Sequence, residues 1–93
     1  MEITVSVNGK EYKVRIKEIT YGEFQEVLKR ATRIIGGQVH VDQVALEDGI
    51  IEKAIESIEP DVGNVLQWIK NLPVSAASRI VRAVFEVNPF QAQ

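Results

Sequence analysis

Residues 2 to 7 and 10 to 17 alternate apolar with polar side chains, and Asn8-Gly9 stands between the two stretches. A period of two marks a strand with one face on a core, and Asn-Gly suits the two positive φ angles of a type I′ turn. The chain is therefore expected to open with a β-hairpin. A two-residue turn sets the pairing so that facing residue numbers sum to 17. Met1 then opposes Ile16, Ile3 opposes Val14 and Val5 opposes Tyr12 on the apolar face; Glu2–Arg15, Thr4–Lys13 and Ser6–Glu11 occupy the polar one. A one-residue slip would turn Ile3, Val5, Val14 and Ile16 into water, at about 1.5–3 kcal/mol per aliphatic side chain, so the register is strongly specified.

Beyond the hairpin the period changes to that of a helix. Thr20-Tyr21-Gly22-Glu23 reads as a capping box, with Ile19 and Phe24 at the hydrophobic-staple positions. Phe24, Val27, Leu28, Ala31, Ile34 and Ile35 form an apolar stripe, and Gly36-Gly37 is expected to end the helix as its C-cap. Residues 38 to 41 (Gln-Val-His-Val) read as an extended linker, with a short third strand as the alternative, because four residues carry too little periodicity to choose. From Asp42 to Glu59 the pattern is again helical, with Leu46, Ile50, Ile51, Ala54, Ile55 and Ile58 on one face and Pro60 as terminator. Gly49, inside this run, costs up to about 1 kcal/mol relative to Ala and draws the expected start toward Leu46. Asp61 is placed to cap a third helix carrying Val62, Val65, Leu66, Ile69 and Leu72, with Trp68 at the stripe's edge. Ser75 is placed to cap a fourth, bearing Ala76, Ile80, Val81, Val84 and Phe85 and stopped by Asn88-Pro89. These elements predict an α+β fold, an N-terminal β-hairpin followed by about four helices packed on one face of the sheet, in a single domain spanning residues 1–93.

Composition narrows the function. Apolar residues are 45% and charged residues 26% of the chain, near globular averages, and the net charge of −2 supplies no overall attraction to nucleic acid or anionic membrane. No apolar run approaches the length of a membrane span and no secretory leader is legible, so a cytoplasmic protein without membrane association is expected. With no cysteine, disulfides, thiolate metal sites and cysteine nucleophiles are excluded together.

Candidate chemistry is sparse. His40, the only histidine, lies between Val39 and Val41 with no Ser or second His at a catalytic or metal-binding spacing. Glu52, Glu56 and Glu59 recur at helical spacing and read as a solvated face, not as acid–base groups or a metal site. Gly36-Gly37 lacks the surroundings of a phosphate loop. The expectation is a protein without catalytic residues, metal or cofactor. Two binding readings remain open. Trp68, Ile69, Val84 and Phe90 could line an apolar groove that takes a partner helix, whereas Arg30, Arg33, Arg79 and Arg82 could form a basic patch for nucleic acid if the first and last helices are neighbours.

Two family resemblances bear on this choice. The segment from Ile3 to Ile35 resembles the opening ββα of ubiquitin-like β-grasp domains, including sulfur carriers with a terminal reactive Gly-Gly. Here Gly36-Gly37 is internal and the sequence finishes Gln91-Ala92-Gln93, so carrier activity is disfavoured. Over nearly the whole chain, the order of a short β start, Ile19-Thr20-Tyr21-Gly22-Glu23-Phe24, an acidic middle segment reaching Ser57-Ile58, and Leu72-Pro73-Val74-Ser75 before a last helix closing at Val87-Asn88 resembles the small tail assembly chaperones of tailed bacteriophages and proviruses. That resemblance implies a non-enzymatic cytoplasmic protein that masks apolar helical stretches of a tape-measure protein. Association between identical subunits is compatible with it.

Overall fold

The computed structural model describes residues 1–89. In chain order it contains β1 (Glu2–Val7), β2 (Lys10–Ile16), α1 (Tyr21–Ala31), β3 (Thr32–Ile35), β4 (Gln38–Val41), α2 (Gln43–Ala54), β5 (Ile55–Glu59), α3 (Val65–Lys70) and α4 (Val74–Val87). The fold is α+β, with the N-terminal hairpin and four helices among the described residues. The hairpin has the expected register, from Glu2 opposite Arg15 to Val7 opposite Lys10. Asn8 and Gly9 have φ of 51° and 81°, as a type I′ turn requires. The pairing continues at Met1, whose carbonyl accepts from the Ile16 amide at 2.7 Å. Glu2 and Arg15 lie 3.7 Å apart on the solvent face, an exposed pair worth a few tenths of a kcal/mol at most.

A two-stranded hairpin is marginal by itself, and here it gains a third strand. The sheet order is β1-β2-β5, with β5 antiparallel to β2. This corrects the helix expected through residues 42–59, which ends at Ala54. Val14 faces Ile58, Arg15 faces Ser57 and Ile16 faces Ile55, so Glu56 is an extra residue at an irregularity in the ladder. A bulge puts side chains three apart on the same face. Ile55 and Ile58, three apart and both buried, therefore imitate helical spacing while sitting in a strand.

The second correction concerns residues 32–41. Thr32, Arg33, Ile34 and Ile35 leave the helix and pair with Val41, His40, Val39 and Gln38, forming a second two-stranded sheet separate from the first. Gly36 and Gly37, with φ of 60° and 80°, are its turn and not a helix cap. Three of the four residues in Thr-Arg-Ile-Ile are β-branched, which favours a strand over a fourth helical turn. The helix before it starts as expected. The Thr20 hydroxyl accepts from the Glu23 amide at 3.1 Å, and Glu23 Oε1 accepts from the Thr20 amide at 2.9 Å.

The core is one cluster of buried side chains. Val5, Val14 and Ile16 from the sheet meet Ile50 and Ile51 of α2, Ile69 of α3, and Ile80 and Val84 of α4. Two caps differ from expectation. Asp42 caps α2 by accepting from the Ala45 amide, but α3 starts at Asn64, which accepts from the Gln67 amide, while Asp61 instead turns the chain by accepting from Gly63. The first residue before α4 is Pro73, with no side-chain cap, and Ser75 falls inside the helix's first turn. Asn88 is the buried polar residue that ties the two ends of the fold. Its Oδ1 accepts from the Ile19 amide at 2.8 Å, and its Nδ2 donates to the Lys17 and Val84 carbonyls, both at 3.1 Å.

Candidate functional site

Beside the scattered exposed side chains of Met1, Tyr21 and Val44, two surfaces among the described residues present apolar side chains together. The first is a groove of about 640 Å³ between α3 and α4, lined by Ile69, Leu72, Val74, Ala77 and Val81, with Lys70, Ser78 and Arg82 also on its walls. Its shape follows from Pro73, which ends one helical run and directs Val74 outward at the start of the next; Val74 is 81% exposed. Lys70 is bridged to Asp48 at 3.1 Å, so the carboxylate of α2 holds one cationic wall in place.

The second is the β3–β4 ribbon, on which Ile34, Ile35, Val39 and Val41 are all exposed. Thr32, Ile34, Val39 and Val41 share one face, and Arg33, Ile35, Gln38 and His40 share the other. The first face continues onto α1, where Gln25, Leu28 and Lys29 complete a corner of about 390 Å³ with Thr32 and Ile34. The molecule measures 50 × 24 × 22 Å with a radius of gyration of 14.3 Å, against about 12 Å for a compact chain of this length.

Of the residues expected to bind a partner, Ile69 forms part of the groove but is nearly buried. Val84 is fully enclosed, because α4 packs over β1 and β2 and the Val84 side chain points into that contact; it serves the core and offers nothing to a partner. Trp68 lies against Tyr12 of the sheet, ring centroids 5.0 Å apart and tilted by 56°, so it closes the core edge beside the groove. Phe90 lies outside the described residues. The groove's outer lining, Leu72, Val74 and Val81, was not singled out from sequence. Its one legible signal was Val74, an apolar residue between Pro73 and the expected cap.

Of the four arginines proposed as a basic patch, Arg30, Arg33 and Arg82 fall on different elements, and Arg79 shares α4 with Arg82. Arg30 faces Glu26 at 3.9 Å, Arg33 is on the ribbon face with His40, and Arg82 lines the α3–α4 groove. The same Glu26 also meets Lys53, at 3.8 Å. The first helix packs chiefly on α2, whereas α4 packs chiefly on β1 and β2, so the neighbourhood on which the patch depended is not the dominant one.

Glu23 has a carboxyl pKa below its ordinary value, first because it accepts from the Thr20 backbone amide and further because Lys17 lies 3.4 Å away. This is capping electrostatics at the start of α1. Among the described residues no three His, Cys, Asp or Glu side chains come together in a metal-binding group, and no helix is long and apolar enough to cross a membrane. Comparison of the chain with protein-family models, with curated proteins and with solved structures finds no match.

Proposed function

We propose that this chain is a non-enzymatic, cytoplasmic protein-binding module of the tail-assembly-chaperone type, which masks apolar helical segments of a tape-measure-like client. The observation that carries the reading is the α3–α4 groove. An open groove with Leu72, Val74 and Val81 on its walls suits an amphipathic helix that lays i, i+3, i+4 and i+7 side chains along it. Arg82 on the same wall favours a client segment with an acidic flank. The nucleic-acid alternative gains no observation, since Arg30 is paired with Glu26 and Arg33 stands on the ribbon, apart from Arg79 and Arg82 on α4.

The test is titration of a synthetic amphipathic helix, with leucines at i, i+3, i+4 and i+7 and acidic residues flanking them, against the full chain. Trp68 fluorescence and calorimetry report binding. Val74→Asp, at a position 81% exposed, is expected to weaken binding at least tenfold while leaving the unfolding curve in place. Equal affinity of Val74→Asp and the parent chain would remove the groove from consideration.

A further inference from the structure

We propose that the β3–β4 ribbon is a membrane-surface anchor, whose apolar tip enters the interface of an anionic lipid bilayer while a collar of cations at its base meets the headgroups. The inference concerns a different surface from the helical groove and stands whether or not the groove takes a client. Every residue from Arg33 to Val41 is exposed. Ile34 and Val39 are 76% and 69% exposed on one face of the ribbon, and Ile35, on the other, is 59% exposed. That two-sided exposure selects the occupant. A protein partner laid on a ribbon covers one face and leaves the other in water, whereas a fluid hydrocarbon phase surrounds a narrow wedge and covers both.

Charge points to the same occupant. The chain has a net charge of −2, yet the segment from Lys29 to Val41 carries Lys29, Arg30 and Arg33 and no Asp or Glu. The expectation of no membrane contact followed from the net charge, which averages over this local asymmetry. Arg30 faces Glu26 at 3.9 Å, whereas Lys29 and Arg33 make no ion pair among the described residues. The cations are also ordered by depth. A strand advances about 3.4 Å per residue, so Ile34, Ile35 and Val39 lie within about 7 Å of the Gly36-Gly37 tip and Arg33, opposite His40, lies about 10 Å back. Lys29 and Arg30 stand further back still, on the last turn of α1. An apolar element buries about 5–10 Å into a bilayer interface, which immerses the three aliphatic side chains and stops at Arg33. Each strand of a two-stranded ribbon leaves one edge of N–H and C=O groups unpaired, and these cannot enter hydrocarbon, so the ribbon anchors at the surface and does not span.

The test is flotation of the full chain with vesicles of phosphatidylcholine alone or of phosphatidylcholine mixed with phosphatidylglycerol. Binding is expected on the anionic vesicles, and at least tenfold weaker on the neutral ones or at high salt. Lys29→Gln combined with Arg33→Gln is expected to weaken it about 25-fold, at about fivefold per cation. Ile34→Asp combined with Ile35→Asp changes only exposed positions and is expected to abolish binding with an unchanged circular dichroism spectrum, whereas Val74→Asp, in the groove, binds vesicles like the parent. Because the chain has no cysteine, a polarity-sensitive dye can be placed singly at Ile35→Cys, Val39→Cys or Val74→Cys. Anionic vesicles are expected to shift the first two labels to the blue and leave the third unmoved. A parent chain that does not float, an aspartate pair that floats like the parent, or a shift at only one of positions 35 and 39 each overturns the proposal. Retention of duplex DNA in place of vesicles, or a concentration-dependent doubling of mass that the aspartate pair loses, would overturn it too and reassign the ribbon to nucleic acid or to a second copy.

Discussion

Gly49 stands in the middle of α2, and the effect of giving it a side chain separates helix propensity from helix packing. At an open helical position Gly→Ala stabilises by about 0.8–1 kcal/mol. Here a Cβ on residue 49 would collide with Cγ1 of Val27 on α1 and come within 3.3 Å of Val27 Cβ and Cγ2. Rotation of Val27 gives no relief, because all three of its side-chain carbons crowd the new atom and a valine within a helix strongly prefers one rotamer. The two helices must separate, and overpacking of this kind costs about 1–3 kcal/mol. Gly49→Ala is thus expected to destabilise by about 1–2 kcal/mol net, lowering the melting temperature by about 5–10 °C. Val27→Ala alone removes two buried methyl groups at about 2 kcal/mol. In the double variant the new methyl enters the vacated space, so the helix-propensity gain reappears and the coupling energy comes to about −2 to −3 kcal/mol. Urea unfolding followed by circular dichroism and Trp68 fluorescence measures all four corners of the cycle. Additive effects, or a stabilised Gly49→Ala chain, would refute the reasoning that close α1–α2 approach is what requires glycine here.

Other outcomes follow from single groups. Asn88→Ala leaves the Ile19 amide and the Lys17 carbonyl without their side-chain partner and is expected to cost about 2–4 kcal/mol in chemical denaturation; Asn88→Asp, which turns a donor toward two carbonyls into an acceptor, should be no better. Thr20→Ala removes the α1 cap and should cost about 1 kcal/mol by the same measurement. Since the Glu23 pKa is lower in the folded chain than in the unfolded one, its contribution is complete above the ordinary glutamate range and is lost as pH falls through the depressed folded value. Glu23→Gln should therefore flatten part of the acid limb of the stability profile and leave the neutral-to-alkaline limb parallel to that of the parent. Replacing Gly36 and Gly37 together with Ala strains a turn with positive φ at both positions and should loosen the ribbon, read as faster amide hydrogen exchange at Ile34 and Val39 with the core amides unchanged.

Local chemistry determined a good part of this molecule. Asn8-Gly9 and the alternation on either side of it dictated the first hairpin and its register, since a one-residue slip would expose four aliphatic side chains. Thr20 and Glu23 likewise specified where α1 begins, because the two partners of a capping box are three residues apart. Of the residues expected to line a groove, Val84 is enclosed in the core and Trp68 packs on Tyr12 at the core edge, which stripe membership alone could not reveal. Only the tertiary structure decided the fate of residues 32–41 and 55–59. Ile55 and Ile58 satisfy a helical spacing as well as a bulged strand does, and the outcome rested on the open edge of β2, a partner some forty residues away in sequence. Ile34 and Ile35 extend the stripe of α1 on paper, yet at that point α1 has no further neighbour to bury them, and Gly36-Gly37 lets the chain pair with itself instead. Spacing along a chain records which side chains can share a face; what that face meets is settled by long-range contact, and so the exposed ribbon became visible only in three dimensions.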